Sequence, residues 1–114
     1  MQDRREFPRI RNKRKVGFVL ADGSIEYLWT VDVSRGGLQV HTEHLVDHGA
    51  QFPVVMNIFH KQREEYIPVR ARIEIVHKVY DGEFSAFRLG AMFVSFEGEG
   101  RTIYEQWVRE LERM

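Results

Sequence analysis

"YIPVRARIEIVHKVYDGEFSAFRLGAMFVSF", residues 66–96, decides the fold class. Ile67, Val69, Ala71, Ile73 and Ile75 occupy alternate positions. Side chains that repeat every second residue share one face of a β-strand and not of a helix. Pro68 has no N–H for a sheet ladder, so it marks an edge or the start of the strand. Asp81-Gly82 is a turn signal, and "FSAFRLGAMFVSF" (84–96) then reads as the returning strand of a hairpin.

The same grammar extends toward the N-terminus. Val16, Phe18 and Leu20 alternate up to Asp22-Gly23, a second hairpin signal, and Ile25, Tyr27, Trp29 and Val31 alternate through the strand that follows. Leu38, Val40 and Thr42 suggest a short strand, and "FPVVMNIF" (52–59) another with apolar residues on both faces. About six short antiparallel strands with turn signals between them describe an all-β domain, a small barrel or a sandwich. The tail has a different period. Ile103, Trp107, Val108 and Leu111 form one apolar stripe at helical spacing over residues 101–114, set off by Gly98 and Gly100. A small barrel needs such a helix to complete its core, so it is expected to cover one end or side; docking onto another protein is the alternative. Trp29 and Trp107 both sit in amphipathic registers and are expected in the core, with stacking of an aromatic near a binding loop on a base as the alternative.

The chain has 114 residues, with 43% hydrophobic side chains, enough for one modest core. No internal repeat, linker or low-complexity segment divides it, so residues 1–114 are read as a single domain. Cysteine is absent, which excludes disulfides, thiol nucleophiles and thiolate metal sites. No apolar run approaches the roughly 20 residues that span a bilayer, and no hydrophobic segment follows the charged N-terminus. A cytoplasmic protein without membrane insertion is expected.

Charge is distributed unevenly. Lys and Arg together number 17, as do Asp and Glu, so the formal net charge is zero. Yet residues 1–15 carry seven basic groups, Arg4, Arg5, Arg9, Arg11, Lys13, Arg14 and Lys15, against Asp3 and Glu6, a balance of +5 that leaves −5 on the rest. Such a split suggests an anionic partner for the basic segment and argues against a general nucleic-acid coat, which needs a basic body too. A solubilising tail is the alternative reading. Residues 1–11 are taken as a flexible arm and 12–97 as the barrel; with only Phe7 and Ile10 as large apolar anchors, the arm is expected to be disordered without a ligand.

"DVSRGG", residues 32–37, lies between two of the strands. Asp and Ser two apart can bond their own backbone and fix a turn, and Gly36 and Gly37 tolerate unusual backbone angles. An ordinary turn satisfies that description. Asp32 and Ser34 also display a carboxylate and a hydroxyl at a strand end, where a rigid scaffold tends to carry binding groups.

Taken together, Arg5 and Arg9 of "RREFPR" form an RxxxR element, and Asp32, Ser34 and Gly37 a DxSxxG element some twenty-odd residues later. In this order, ahead of a β-rich body, the chain resembles the PilZ domain family, and "LGAMF" (89–93) is similar to the family's usual penultimate strand. The resemblance covers nearly the whole chain. It implies a six-stranded antiparallel split barrel capped by a C-terminal helix, and it implies binding of the bacterial second messenger cyclic di-GMP. Within it, Arg4, Arg5, Arg9, Asp32, Ser34 and Gly37 are the expected ligand-binding residues, with Arg35 and Gly36 as further candidates. Arg35 is read either as a phosphate contact or as a solvated side chain. The residue in the position of Arg4 is associated in the family with binding one messenger or an intercalated pair; a third guanidinium favours the pair.

The residue types suit that ligand. A guanidinium forks onto a phosphate or onto guanine O6 and N7 and stacks on a base, which lysine cannot reproduce. A carboxylate accepts from the N1–H and N2–H₂ donors of guanine, Ser34 can donate to a phosphate or base, and Gly37 keeps the turn close to the ligand. The arm is then a clasp that folds over an anionic dinucleotide and presents a new surface to an effector protein.

Other constellations are weaker. His41, His44 and His48 fall in a loop context with no carboxylate in register, so solvated histidines are expected and no metal or cofactor. No G-x-S-x-G, phosphate loop or Ser–His–Asp set is present, and no enzyme is expected. Two other functions remain open: a PilZ-like adaptor that acts by protein contacts alone, and a small barrel for single-stranded nucleic acid. The acidic body, which lacks a broad basic groove with interleaved aromatics, argues against the last, so no DNA or RNA partner is expected.

Overall fold

The computed structural model describes residues 7–114. In chain order the elements are β1 (Ile10–Arg11), β2 (Lys15–Val19), β3 (Ile25–Val33), β4 (Gly37–Thr42), β5 (Gln51–His60), β6 (Glu65–Asp81), β7 (Ala86–Phe96) and α1 (Gly100–Glu112). Every pairing is antiparallel. The order runs β3-β2-β5-β6-β7-β4, and β4 pairs back onto β3, so six strands close into a barrel. The two-residue β1 lies in line with β2 on the same side of β3.

The period-two pattern of β6 is realised directly. Val69, Ala71, Ile73 and Ile75 are buried and meet Val54, Met56 and Ile58 of β5 and Leu89, Ala91 and Phe93 of β7. Full burial of such a side chain is worth about 1.5–3 kcal/mol, so this triple strand forms the main stabilising mass. Pro68 lies opposite Asn57 of β5, outside the stretch of β6 that β7 pairs, which starts at Ala71. There its missing N–H takes no bond from a second neighbour. Helix α1 packs Ile103, Tyr104, Trp107 and Val108 onto the barrel against β5 and β6, as its stripe requires. No helix among the described residues is long and apolar enough to cross a membrane.

Three local expectations are revised. The β6–β7 loop spans residues 82–85; its left-handed residue is Ser85 (φ 52°) rather than Gly82, and β7 begins at Ala86 instead of 84. The second difference is in β3. Ile25, Tyr27 and Trp29 point outward, and Trp29 is 48% exposed, not part of the core. The inner register belongs to Leu28, Thr30 and Val33, which pack inside the barrel. Gly17 faces Tyr27 across the β2–β3 ladder, and a Cβ there would come within 2.9 Å of Ile25 and 3.1 Å of Tyr27. Its missing side chain lets the outer apolar row close over β2.

The third difference concerns the N-terminal segment. Ile10 and Arg11, assigned to a free arm, pair with Val33 and Asp32 of β3. The Asn12 N–H donates to Val31 O at 3.2 Å. Thr30, buried inside the barrel, accepts from the Arg14 N–H at 2.7 Å and donates to Asn12 O at 2.6 Å. The boundary between arm and barrel therefore precedes Ile10. A threonine turned into the core supplies the polar partners that the incoming chain would otherwise lack.

A carboxylate site on the outer face of β3

Between Thr30 and Asp32 the β3–β4 register slips: Thr30 faces Val40 and Asp32 faces Gln39. Val31 is thus an extra residue, a β-bulge. Its effect is to let Thr30 and Val33 both point inward while Asp32 points out, on the same side as Trp29 and Tyr27.

Asp32 is half-buried. Its carboxyl is held above the ordinary range by loss of solvent, opposed by the positive charges of Arg9, Arg88 and Arg11. Three guanidiniums from two different parts of the chain therefore lie within electrostatic reach of one carboxylate. The N-terminal segment explains half of this arrangement. Arg9, Arg11, Lys13 and Lys15 are exposed and alternate with the partly buried Ile10, Asn12 and Arg14. The odd positions make a cationic row along β3, with the arginines beside Asp32 and the lysines beside Trp29. Lys13 Nζ lies 5.2 Å from the Trp29 ring, and Lys15 Nζ lies 5.3 Å from Tyr27 and 5.8 Å from Trp29. Arg14, on the other parity, stacks at 5.1 Å over Trp107 of α1.

The turn after Asp32 is locked from within. Ser34 N–H donates to Gly37 O at 2.9 Å, and Ser34 Oγ accepts from the Gly36 N–H at 3.3 Å. Behind it the Tyr104 hydroxyl, on α1, donates to Ser34 O at 2.7 Å with Gly37 O at 3.2 Å. Tyr104 is fully buried, and desolvation raises its pKa strongly, so it stays a neutral donor. Gly37 has a packing duty as well. A Cβ there would collide with the carbonyl oxygen of Ala91, so β4 needs the glycine for its close approach to β7. Gly36 lies under the Phe7 ring, with 3.4 Å between Phe7 and the position of a Cβ.

Arg35 is paired rather than free in solvent. Its guanidinium is paired with Glu112 at the end of α1 and sits 5.5 Å over Phe7. Arg9, Asp32, Ser34, Arg35, Gly36 and Gly37 thus gather at one end of β3, whereas Arg4 and Arg5 lie outside the described residues. Sequence reasoning missed Tyr104, Glu112 and Arg88. The first was hidden among twelve-odd per cent aromatics, and the others are ordinary charged residues until the topology brings them near the turn.

The histidines take separate partners: His41 faces Asp81 at 3.4 Å, His44 faces Glu26 at 2.9 Å, and His48 faces Val76 O at 3.0 Å. Among the described residues no cluster of three or more His, Asp or Glu is arranged to hold a metal. The outer surface differs from the expectation of no basic groove with interleaved aromatics. Cations and aromatics do interleave on the outside of this barrel, around Trp29, because the apolar row of β3 faces out.

Residues 3–110 match the family model described as the PilZ domain. The chain belongs to the PilZ domain family. Solved structures share its fold at low identity. The Bacillus subtilis inhibitor of motility, MotI/DgrA, aligns with a TM-score of 0.77 and 10% identity, over 98% of this chain and 51% of that one. The MrkH–c-di-GMP complex of K. pneumonia aligns at 0.73 and 16%, over 99% and 53%. Escherichia coli YcgR in complex with c-di-GMP aligns at 0.66 and 21%, over 97% and 47%. This PilZ chain spans about half the length of those three proteins. Among curated proteins none matches it.

Proposed function

We propose that this PilZ domain is a cytoplasmic, non-catalytic receptor for cyclic di-GMP. The observation that carries the reading is the outward Asp32 carboxylate, set on a bulged strand and flanked by Arg9, Arg11 and Arg88. A carboxylate repels phosphate, so its value at an anion site lies in accepting the N1–H and N2–H₂ donors of guanine. The surrounding guanidiniums are suited to the phosphates and to guanine O6 and N7. MrkH and YcgR, which share the fold, are complexes with c-di-GMP and support the same assignment.

In this reading Arg5 and Arg9 clamp the ligand, Arg4 favours an intercalated pair, Ser34 offers its hydroxyl, and Gly36 and Gly37 keep the turn close. The clasp is the part of the chain upstream of Ile10. Its closure over the nucleotide would alter the surface offered to an effector protein in trans. Calorimetric titration with cyclic di-GMP, cyclic di-AMP and a short oligonucleotide tests the assignment. Cyclic di-GMP should bind well ahead of the others, and Arg9→Lys and Asp32→Ala should each lose about 1–3 kcal/mol of affinity. Equal binding of all three nucleotides, or an unharmed Arg9→Lys, would undo it.

A further inference from the structure

The outer face of β2, β3, β5 and β6 holds a groove of about 760 Å³ that no part of the proposed nucleotide site uses. Tyr27, Trp29 and Tyr66 are 56%, 48% and 63% exposed there. Lys13, Lys15 and Arg70 stand along it, and among the described residues no Asp or Glu lines it. In a chain of zero net charge, an acid-free stretch carrying cations above exposed rings is a local concentration of one sign. Isolated exposed apolar residues need no explanation, whereas a contiguous patch with a polar rim marks an interaction surface.

We propose that this groove docks a segment of a partner protein in which acidic and apolar side chains alternate or neighbour one another. The docking deepens the receptor reading by naming a surface for the effector, yet it requires no nucleotide. The occupant follows from two features. Between the rings the lining includes the aliphatic side chains of Ile25, Val55 and Pro68, which suit apolar side chains. The ammonium groups of Lys13 and Lys15 lie over the faces of Trp29 and Tyr27. A stacking base would have to displace them, but a carboxylate meets them where they already stand.

Selection of random dodecapeptides on phage against the whole protein, with counter-selection on Lys15→Glu, tests this. The expected result is enrichment of sequences carrying at least two acidic residues beside aromatic or aliphatic ones. As synthetic peptides they should shift the Trp29 indole resonance, and their affinity should drop at least tenfold in Lys15→Glu and in Tyr27→Ala. Both variants should keep the circular dichroism of the parent, and Tyr27→Ala should keep its cyclic di-GMP affinity within twofold. No enrichment over the Lys15→Glu background would overturn the proposal, as would enriched peptides without acidic residues. A twelve-nucleotide oligo-dT that moves the Trp29 resonance more tightly than any peptide would overturn it in favour of nucleic acid. Because the peptide titrations are run without nucleotide, their failure leaves the receptor assignment untouched, and failure of nucleotide binding leaves the groove result standing.

Discussion

Arg35, in the turn between β3 and β4, holds Glu112, the last residue of α1, by two bonds: Nη2 to Oε1 at 2.6 Å and Nε to Oε2 at 3.1 Å. The pair joins positions 77 apart in sequence and ties the end of the helix to the turn that carries Asp32 and Ser34. The Phe7 ring beneath the guanidinium brings the N-terminal segment into the same contact.

Glu112→Gln should free Arg35 for a ligand phosphate. Because exposed ion pairs are weak, the gain in cyclic di-GMP affinity should be modest, a few-fold at most by calorimetry. Weaker binding would mean that Glu112 orients the turn instead of competing with the ligand. Arg35 holds the Glu112 carboxyl below its usual range. Its contribution to stability is therefore present at neutral pH and lost as pH falls through that lowered value, and the acid limb of the parent's stability profile should flatten in Glu112→Gln.

Tyr104→Phe removes the hydroxyl that holds Ser34 O from inside while keeping the ring among Phe93, Phe96 and Trp107. Chemical denaturation should register a loss of about 1–3 kcal/mol, the cost of an unsatisfied buried acceptor. Nucleotide affinity should fall with it, although Tyr104 touches no ligand. An unchanged affinity would show that the turn needs no support from the helix.

Thr30→Val keeps the shape of the side chain but leaves the Arg14 N–H and Asn12 C=O without their partner. Destabilisation of about 1–3 kcal/mol is expected. Hydrogen exchange at the Arg14 amide should accelerate by more than the global change accounts for, since the lost bond is the local one.

Asp32→Asn should stabilise the unliganded protein at neutral pH and weaken nucleotide binding. The sign follows from the raised carboxyl pKa: the folded state holds the proton more tightly than the unfolded state, so stability falls as pH rises through the acid range and stays reduced above it. Melting curves of parent and variant should converge below that range and separate above it. A variant less stable than the parent at pH 7 would mean that Arg9, Arg11 and Arg88 outweigh the desolvation.

Hydrogen exchange also addresses the clasp. Asn12 and Arg14 already donate to Val31 and Thr30, so cyclic di-GMP should add little protection there. New protection is expected at residues 3–9. Equal exchange across residues 3–9 with and without the nucleotide would remove the clasp from the mechanism.

What the sequence made legible follows from what periodicity can encode. The β6–β7 hairpin was readable because one face of β6 is apolar and the other charged, and α1 because its stripe has a single side. In β3 the same logic misled. Ile25, Tyr27 and Trp29 form the more hydrophobic parity, yet the core takes Leu28, Thr30 and Val33, since the buried threonine bonds the incoming chain and the outer row is sheltered by lysine side chains and Gly17. Asp32 and Ser34 could be picked out as a pair because both groups lie within six residues. The Glu112 partner of Arg35 and the Arg88 field on Asp32 depend on strand order, which no local pattern carries.

The bulge at Val31 gives β3 a reading frame with a shift in it. Upstream, odd-numbered residues face the solvent; from Asp32 on, the outward residue is even. Deleting Val31 would rejoin the two frames without exchanging any residue between inside and outside. Deleting Tyr27 instead would leave the shift in place and turn Ile25 inward and Glu26 outward. Length changes in this strand are therefore tolerated or ruinous according to where the frame is cut, and Val31 is the position where one residue fewer leaves both the aromatic row and the carboxylate on the outer surface.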